Sequence, residues 1–179
     1  PSGGVYSGFH ALPIGNGNLE VWYENDPTIN ATQSNVAVGV KCLAWGQSNF
    51  SGRATNAQVF NERPGYFHKY TVSNDLWQEG LDPFDSATAD GSLFPIFANL
   101  FVAEKNTPVG VVGVAQGSTA LSQWQPGQML NDRMIDYINN SGAGIDFIMS
   151  WIGETDTTNG TVEATLKAEY NTVIDQLFT

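Results

Sequence analysis

The residues that could do chemistry fall into three short polar clusters, each just behind an apolar run. Gly46-Gln47-Ser48-Asn49 follows "VAVGVKCLAW", Gly117-Ser118-Thr119 follows "PVGVVGVAQ", and Gly153-Glu154-Thr155-Asp156 follows "IDFIMSWI". In open α/β sheets, sites collect beyond the carboxyl ends of the parallel strands, so the three clusters predict one polar rim. Ser48 has the chemistry of a nucleophile for acyl transfer. A serine on a strand-to-helix turn, flanked by small residues, holds its hydroxyl clear of the backbone, and the N–H groups of the helix start then face developing negative charge. Such a hydroxyl needs a base to take its proton. The transition state also needs donors aimed at the oxyanion, for which the Ser48 and Gly117 amides are the candidates; glycine suits the second because a bare backbone lets substrate come close. The competing reading makes Ser48 a helix cap. Glu154 and Asp156 read either as a carboxylate pair for acid–base work or as scaffold. For the base, the sequence offers only two imidazoles, His10 and His68. His68 lies in the aromatic stretch "GYFHKY" and reads as a surface or loop-packing residue, and His10 precedes the nucleophile.

The elements that must position these residues change character along the chain. Residues 1–35 hold short alternating segments split by Gly-Asn-Gly and Asp-Pro, which predicts antiparallel strands with tight turns, Leu19, Val21 and Tyr23 sharing one face. From Val36 the pattern becomes strand–helix alternation: buried strands over 36–45, 108–117 and 145–151, a loop-rich stretch over 54–84, and helices over 92–106, 127–144 and 161–178. The last helix carries Leu166, Tyr170, Val173 and Leu177 on one stripe, with Thr161 as its N-cap. The fold class is α/β: a partial, doubly wound parallel sheet in three α/β/α layers, flavodoxin-like, preceded by a β-rich segment. Three strands and three helices leave such a sheet half finished. The expected organisation is therefore a β-rich lead-in over 1–35, the end of a β-sandwich or a linker, and the N-terminal portion of an α/β domain over 36–179 that continues beyond Thr179.

Composition narrows the function. Hydrophobic residues make up 41% of 179, with five Trp and ten Phe, which argues for a packed globule rather than disorder. The formal charge of −11, from 18 acidic and 7 basic residues, repels phosphate backbones and argues against a nucleic-acid partner. A neutral sugar or ester substrate fits better. No apolar run is long enough to span a membrane. Cys42 is the only cysteine and reads as a small core residue, so neither an intrachain disulfide nor a Cys-based zinc site is available. No Gly-x-Gly-x-x-Gly follows the first buried strand, which disfavours a dinucleotide-binding domain. No metal or cofactor is implied, since serine acyl transfer needs none. Tyr66, Phe67, Trp77 and Trp124 are candidates for a sugar-stacking platform, with core packing as the alternative.

"LAWGQSNFSGR" resembles the first block of the SGNH hydrolase superfamily, and more narrowly its carbohydrate-esterase branch of sialate O-acetylesterases and acetylxylan esterases. The likeness continues in order through "NDLWQEGLDPF", "GSLFPIFANLF", "PVGVVGVAQGSTALSQW" and "IMSWIGETDT", covering residues 36–179. The resemblance implies an O-acetylesterase acting on carbohydrate, with Ser48 as nucleophile, Gly117 as oxyanion donor, Gln47 and Asn49 in the nucleophile block, Trp124 closing the second block, and Glu154 holding the site loops by hydrogen bonds. It further implies an amide donor in the third block, where this sequence has Ile152, leaving Trp151 or Asn49 as substitutes. It implies an Asp-x-x-His after a further strand, hence further polypeptide that completes the domain. Relatives carrying a small β module before the esterase domain suggest an extracellular or virion-surface setting, and a homo-oligomer is left open. The alternative is a non-catalytic carbohydrate-binding or structural domain of a tail fibre, spike or other surface assembly.

Overall fold

A computed structural model describes residues 12–23, 26–53, 55–71, 76–84, 91–142 and 144–178. Its centre is a five-stranded sheet built from β3 (Val40–Gly46), β4 (Phe67–Thr71), β5 (Leu76–Glu79), β6 (Val109–Ala115) and β7 (Phe147–Trp151), in the order β5-β4-β6-β3-β7. All neighbours are parallel except the edge pair β4–β5. Ahead of it, β1 (Gly15–Tyr23) and β2 (Asp26–Val38) form an antiparallel hairpin. The α/β class and the largely parallel sheet expected from the sequence are both present.

Two side-chain layers explain the strands' apolar character. In β3, Cys42 and Ala44 face one side and Leu43 and Trp45 the other, all at 0% exposure. The first side packs on α1 (Phe94–Lys105) through Phe94, Ala98 and Val102. The second packs on a 3-10 turn (Leu121–Trp124), α2 (Met129–Asn140) and α4 (Glu163–Leu177), through Trp124, Met134 and Val173. A strand buried on both faces loses the period-2 alternation and reads as a continuous apolar run, as "VKCLAW" and "VGVVGVA" do.

The structure departs from the sequence expectations at several places. The strand expected over 36–45 is two strands: Val36–Val38 belong to β2, paired with Gly15–Gly17, and β3 starts at Val40. Gly39 divides them because a side chain there would stand 2.0 Å from the Pro108 carbonyl oxygen. The sheet has five strands rather than three, since β4 and β5 lie in the stretch expected to be loop. They are short, and His68 and Lys69 hide the pattern; parallel pairing of Phe67–Tyr70 with Val109–Val112 defines β4. Thr161 is not the cap of α4. Val162 takes that position, and the Thr161 N–H donates to the Asp156 carbonyl at 2.9 Å. A one-turn helix, α3 (Glu154–Thr158), was not expected. Leu19 and Val21 share a face of the hairpin, and that face is open, Val21 being 56% exposed.

Candidate functional site

The chain leaves the adjacent strands β3 and β6 toward opposite faces of the sheet. After β3, Phe50 packs into the α1 layer; after β6, Leu121 and Trp124 pack into the α2–α4 layer. In this class of fold such a divergence at the strands' carboxyl ends marks the usual place for a ligand crevice. Ser48 and Gly117 stand on its two lips. A Cβ built on Gly117 would lie 3.4 Å from the Ser48 Cβ and 3.9 Å from the Arg53 Cζ. The two residues expected to share an acyl group are therefore neighbours, and Ser48 is half-buried rather than covered.

No helix follows Ser48, contrary to both sequence readings of it. The chain instead makes consecutive turns, with Phe50 N–H donating to Gln47 O at 3.0 Å and Ser51 N–H and Oγ both donating to Ser48 O, at 3.1 and 3.0 Å. The buried rings of Phe50 and Phe94 pack edge to face, centroids 5.3 Å apart. That aromatic anchor pins the turn and leaves Ser48 and Asn49 at its outer end. Gly46 is required just before it, since a Cβ there would stand 2.3 Å from the Trp151 carbonyl oxygen.

Three hydrogen bonds lace the polar clusters together. Gln47, 3% exposed, donates its side-chain amide to the Thr119 carbonyl, joining the first cluster to the second. Asn49 Nδ2 donates to Glu154 Oε1 at 2.7 Å, joining the first to the third. Asp156, 1% exposed, accepts the Leu121 N–H on both carboxylate oxygens at 3.1 Å, joining the third to the 3-10 turn just behind the second. Glu154 and Asp156 thus point to different partners, and nothing in the geometry makes them an acid–base pair. Gln47 is turned inward as a tie, away from where a substrate would lie. Trp124, 0% exposed, donates from Nε1 to Thr119 Oγ1 at 3.0 Å, and Thr119 Oγ1 in turn donates to Gln116 O at 2.8 Å. This chain fixes the carbonyl that Gln47 holds. Between Gly117 and Thr119, Ser118 adopts φ +61°, a left-handed conformation uncommon outside glycine.

Several candidates are not brought to the rim. His68 sits at the start of β4, level with Gly110 near the opposite end of the sheet, its Nε2 2.8 Å from Gly65 O. His10 lies outside the described residues. Ile152 packs against the α2–α4 layer. Phe67 and Trp124 are core residues at 1% and 0% exposure, so the four aromatics form no common platform. Trp151, by contrast, is at the rim as the register partner of Gly46, half exposed beside the Phe50 ring. Burial pushes the Cys42 thiol up to about 12, so it stays protonated and unreactive in the core. Among the described residues, no three metal-ligating side chains converge.

The residue the sequence reading missed is Arg53. Its guanidinium is exposed beside Gly117 and makes no hydrogen bond or ion pair among the described residues. An arginine five residues after the serine, in a chain with only 7 basic residues, was the available signal.

A family model described as carbohydrate esterase, sialic acid-specific acetylesterase, matches residues 41–179. Among solved structures, a protein from Arabidopsis thaliana is similar with a TM-score of 0.60 at 20% identity, covering 78% of this chain and 68% of its own. A carbohydrate acetylesterase from Xanthomonas citri is similar with a TM-score of 0.58 at 17% identity, covering 84% of this chain and 40% of its own. At these identities the likeness is one of fold. No curated protein matches the chain at a significant level.

Proposed function

Since the chain belongs to the carbohydrate esterases of the sialic acid-specific acetylesterase family, we propose that it removes O-acetyl groups from a carbohydrate through an acyl-enzyme on Ser48. The observation that carries this is the Ser48–Gly117 juxtaposition across the crevice, with a 3.4 Å gap from Ser48 Cβ to the point that a side chain on Gly117 would fill. Ser48 Oγ attacks the acetyl carbonyl carbon and gives its proton to a base. The carbonyl oxygen, now carrying charge, is held by the Gly117 N–H, with the Arg53 guanidinium adding its positive charge where Ile152 has no donor to offer. The sugar oxygen leaves with a proton from the conjugate acid of that base. Water then adds to the acetyl-serine, and acetate departs with Ser48 restored.

His68 lies near the opposite end of the sheet, and the base in this reading is the histidine of the Asp-x-x-His that the family resemblance implies. Glu154, Asp156 and Gln47 act as positioning residues, because each is bonded to another loop of the rim. The substrate in this reading is a carbohydrate chain bearing O-acetyl groups. The test is acetate release from a small acetate ester and an acetylated polysaccharide by the full-length protein. Ser48→Ala is expected to reduce it to background with an unchanged melting temperature. Full activity in Ser48→Ala would overturn the nucleophile assignment.

A further inference from the structure

A second recess lies at the other end of the sheet. It is a cleft of about 550 Å³ between the hairpin and the amino ends of β3, β4 and β6. This is the size range of pockets that take small organic ligands. At ~3.3 Å per strand residue, Lys41 on its wall stands roughly 23 Å from Ser48, so the two sites cannot share one sugar ring.

The floor of the cleft is built from one cross-sheet row. His68, Gly110 and Lys41 are register partners across β4, β6 and β3. The middle residue lacks a side chain, and the Trp77 ring lies in the space this leaves: a Cβ on Gly110 would come within 2.8 Å of two of its ring carbons. Trp77 is held in that pose by donation from Nε1 to Ser141 O at 3.0 Å and by an edge contact with Tyr70, centroids 5.4 Å apart. It is nevertheless 38% exposed, and it lines the cleft. A rigid indole with an open surface is the stacking element that a sugar ring's C–H face requires.

The polar groups around that ring suit hydroxyls rather than an ion. Lys41 Nζ donates to Ser141 Oγ at 3.3 Å and Gly142 O at 2.8 Å, while Asp146 Oδ2 accepts the Lys41 N–H at 2.7 Å. The cleft is thus lined by both a cation and a carboxylate, and it carries donors and acceptors with no single-sign field. Gln33 and Asn35, from the hairpin, add amides on the outer wall. That wall meets the rest of the protein where Asn16 packs on Gly65, with its Nδ2 donating to Pro64 O at 3.5 Å.

We propose that this cleft is a second carbohydrate-binding site, taking a neutral glycan segment stacked on Trp77. It would hold a polysaccharide on the protein while Ser48 works on acetyl groups elsewhere along the polymer. The site stands on its own residues, so its failure and the failure of the esterase reading are separable. The test titrates the full-length protein carrying Ser48→Ala with xylohexaose and cellohexaose, following tryptophan fluorescence and calorimetric heat. Saturable binding by at least one of the two is expected. Trp77→Ala should weaken it about tenfold or more, and Trp77→Tyr, which keeps a stacking face, should restore part of it. Because Trp77 also packs on Gly110, the exposed wall residue provides a second variant: Gln33→Ala should weaken binding several-fold without changing the melting temperature. No saturable binding of either sugar up to about 10 mM, or binding indifferent to both Trp77→Ala and Gln33→Ala, overturns the proposal. Tighter binding of hexagalacturonate than of the neutral sugars overturns the neutral class.

Discussion

Replacing Gly117 by alanine separates the two reasons a glycine can stand on this rim. A glycine is needed either because the backbone adopts a conformation other residues resist, or because something must come close to it. Gly117 is not among the residues with a left-handed φ, so alanine fits its backbone. The added methyl would meet Ser48 Cβ at 3.4 Å and Ser48 Cα and Arg53 Cζ at 3.9 Å, which are ordinary contact distances. The fold therefore has no use for this glycine. Alanine at a compatible site stabilises by ~0.4–1 kcal/mol through the unfolded chain. That is a melting temperature higher by ~1–4 °C in a chain of this length. Activity should move the other way. The methyl would occupy the gap through which an acyl oxygen reaches the Gly117 N–H, and loss of an oxyanion donor costs ~10²–10³ in rate. The assay pairs thermal unfolding of Gly117→Ala with acetate release by the full-length enzyme, at substrate concentrations that separate kcat from KM. An unchanged or raised melting temperature with kcat down at least ~10²-fold is expected. Full activity would refute the placement of the acyl group between these residues, and a fall in melting temperature would refute the argument from space.

Two further substitutions probe the supports of the site. Gln47→Leu keeps the bulk of the side chain but leaves the buried Thr119 carbonyl without its donor. Calorimetry should register a loss of about 2 kcal/mol, a drop of ~4–8 °C, and an unchanged melting temperature would show that the tie carries no weight. Arg53→Met alters an exposed side chain with no hydrogen bond or ion pair among the described residues. Stability should stay within ~0.5 kcal/mol while ester hydrolysis falls about tenfold, with Arg53→Lys recovering part of it; hydrolysis at the wild-type rate would remove Arg53 from the mechanism.

What the sequence determined on its own is the set of elements whose local pattern and tertiary role agree. "VKCLAW", apolar but for Lys41, and "VGVVGVA" read as strands buried on both faces, because near-continuous apolar runs without polar alternation leave neither face for water. The polar clusters behind them mark the rim, and Ser48 and Gly117, each placed by the sequence at a strand's end, are neighbours there. The tertiary structure decided whatever depends on partners distant in the chain. Residues 67–71 are a strand because β6 is there to pair with them, and Val36–Val38 belong to the hairpin because Gly39 must pass against Pro108. Gln47 became a tie and Asp156 a buried acceptor because their partners, Thr119 and Leu121, stand 72 and 35 residues away. Arg53 entered the site by the way the turn after Ser48 folds back on Gly117, and the Trp77 cleft exists only because β3, β4 and β6 align Lys41, His68 and Gly110 in one row. Short-range spacing specifies which side chains are exposed to a strand's two faces; it carries no information about which remote backbone group will lie opposite them.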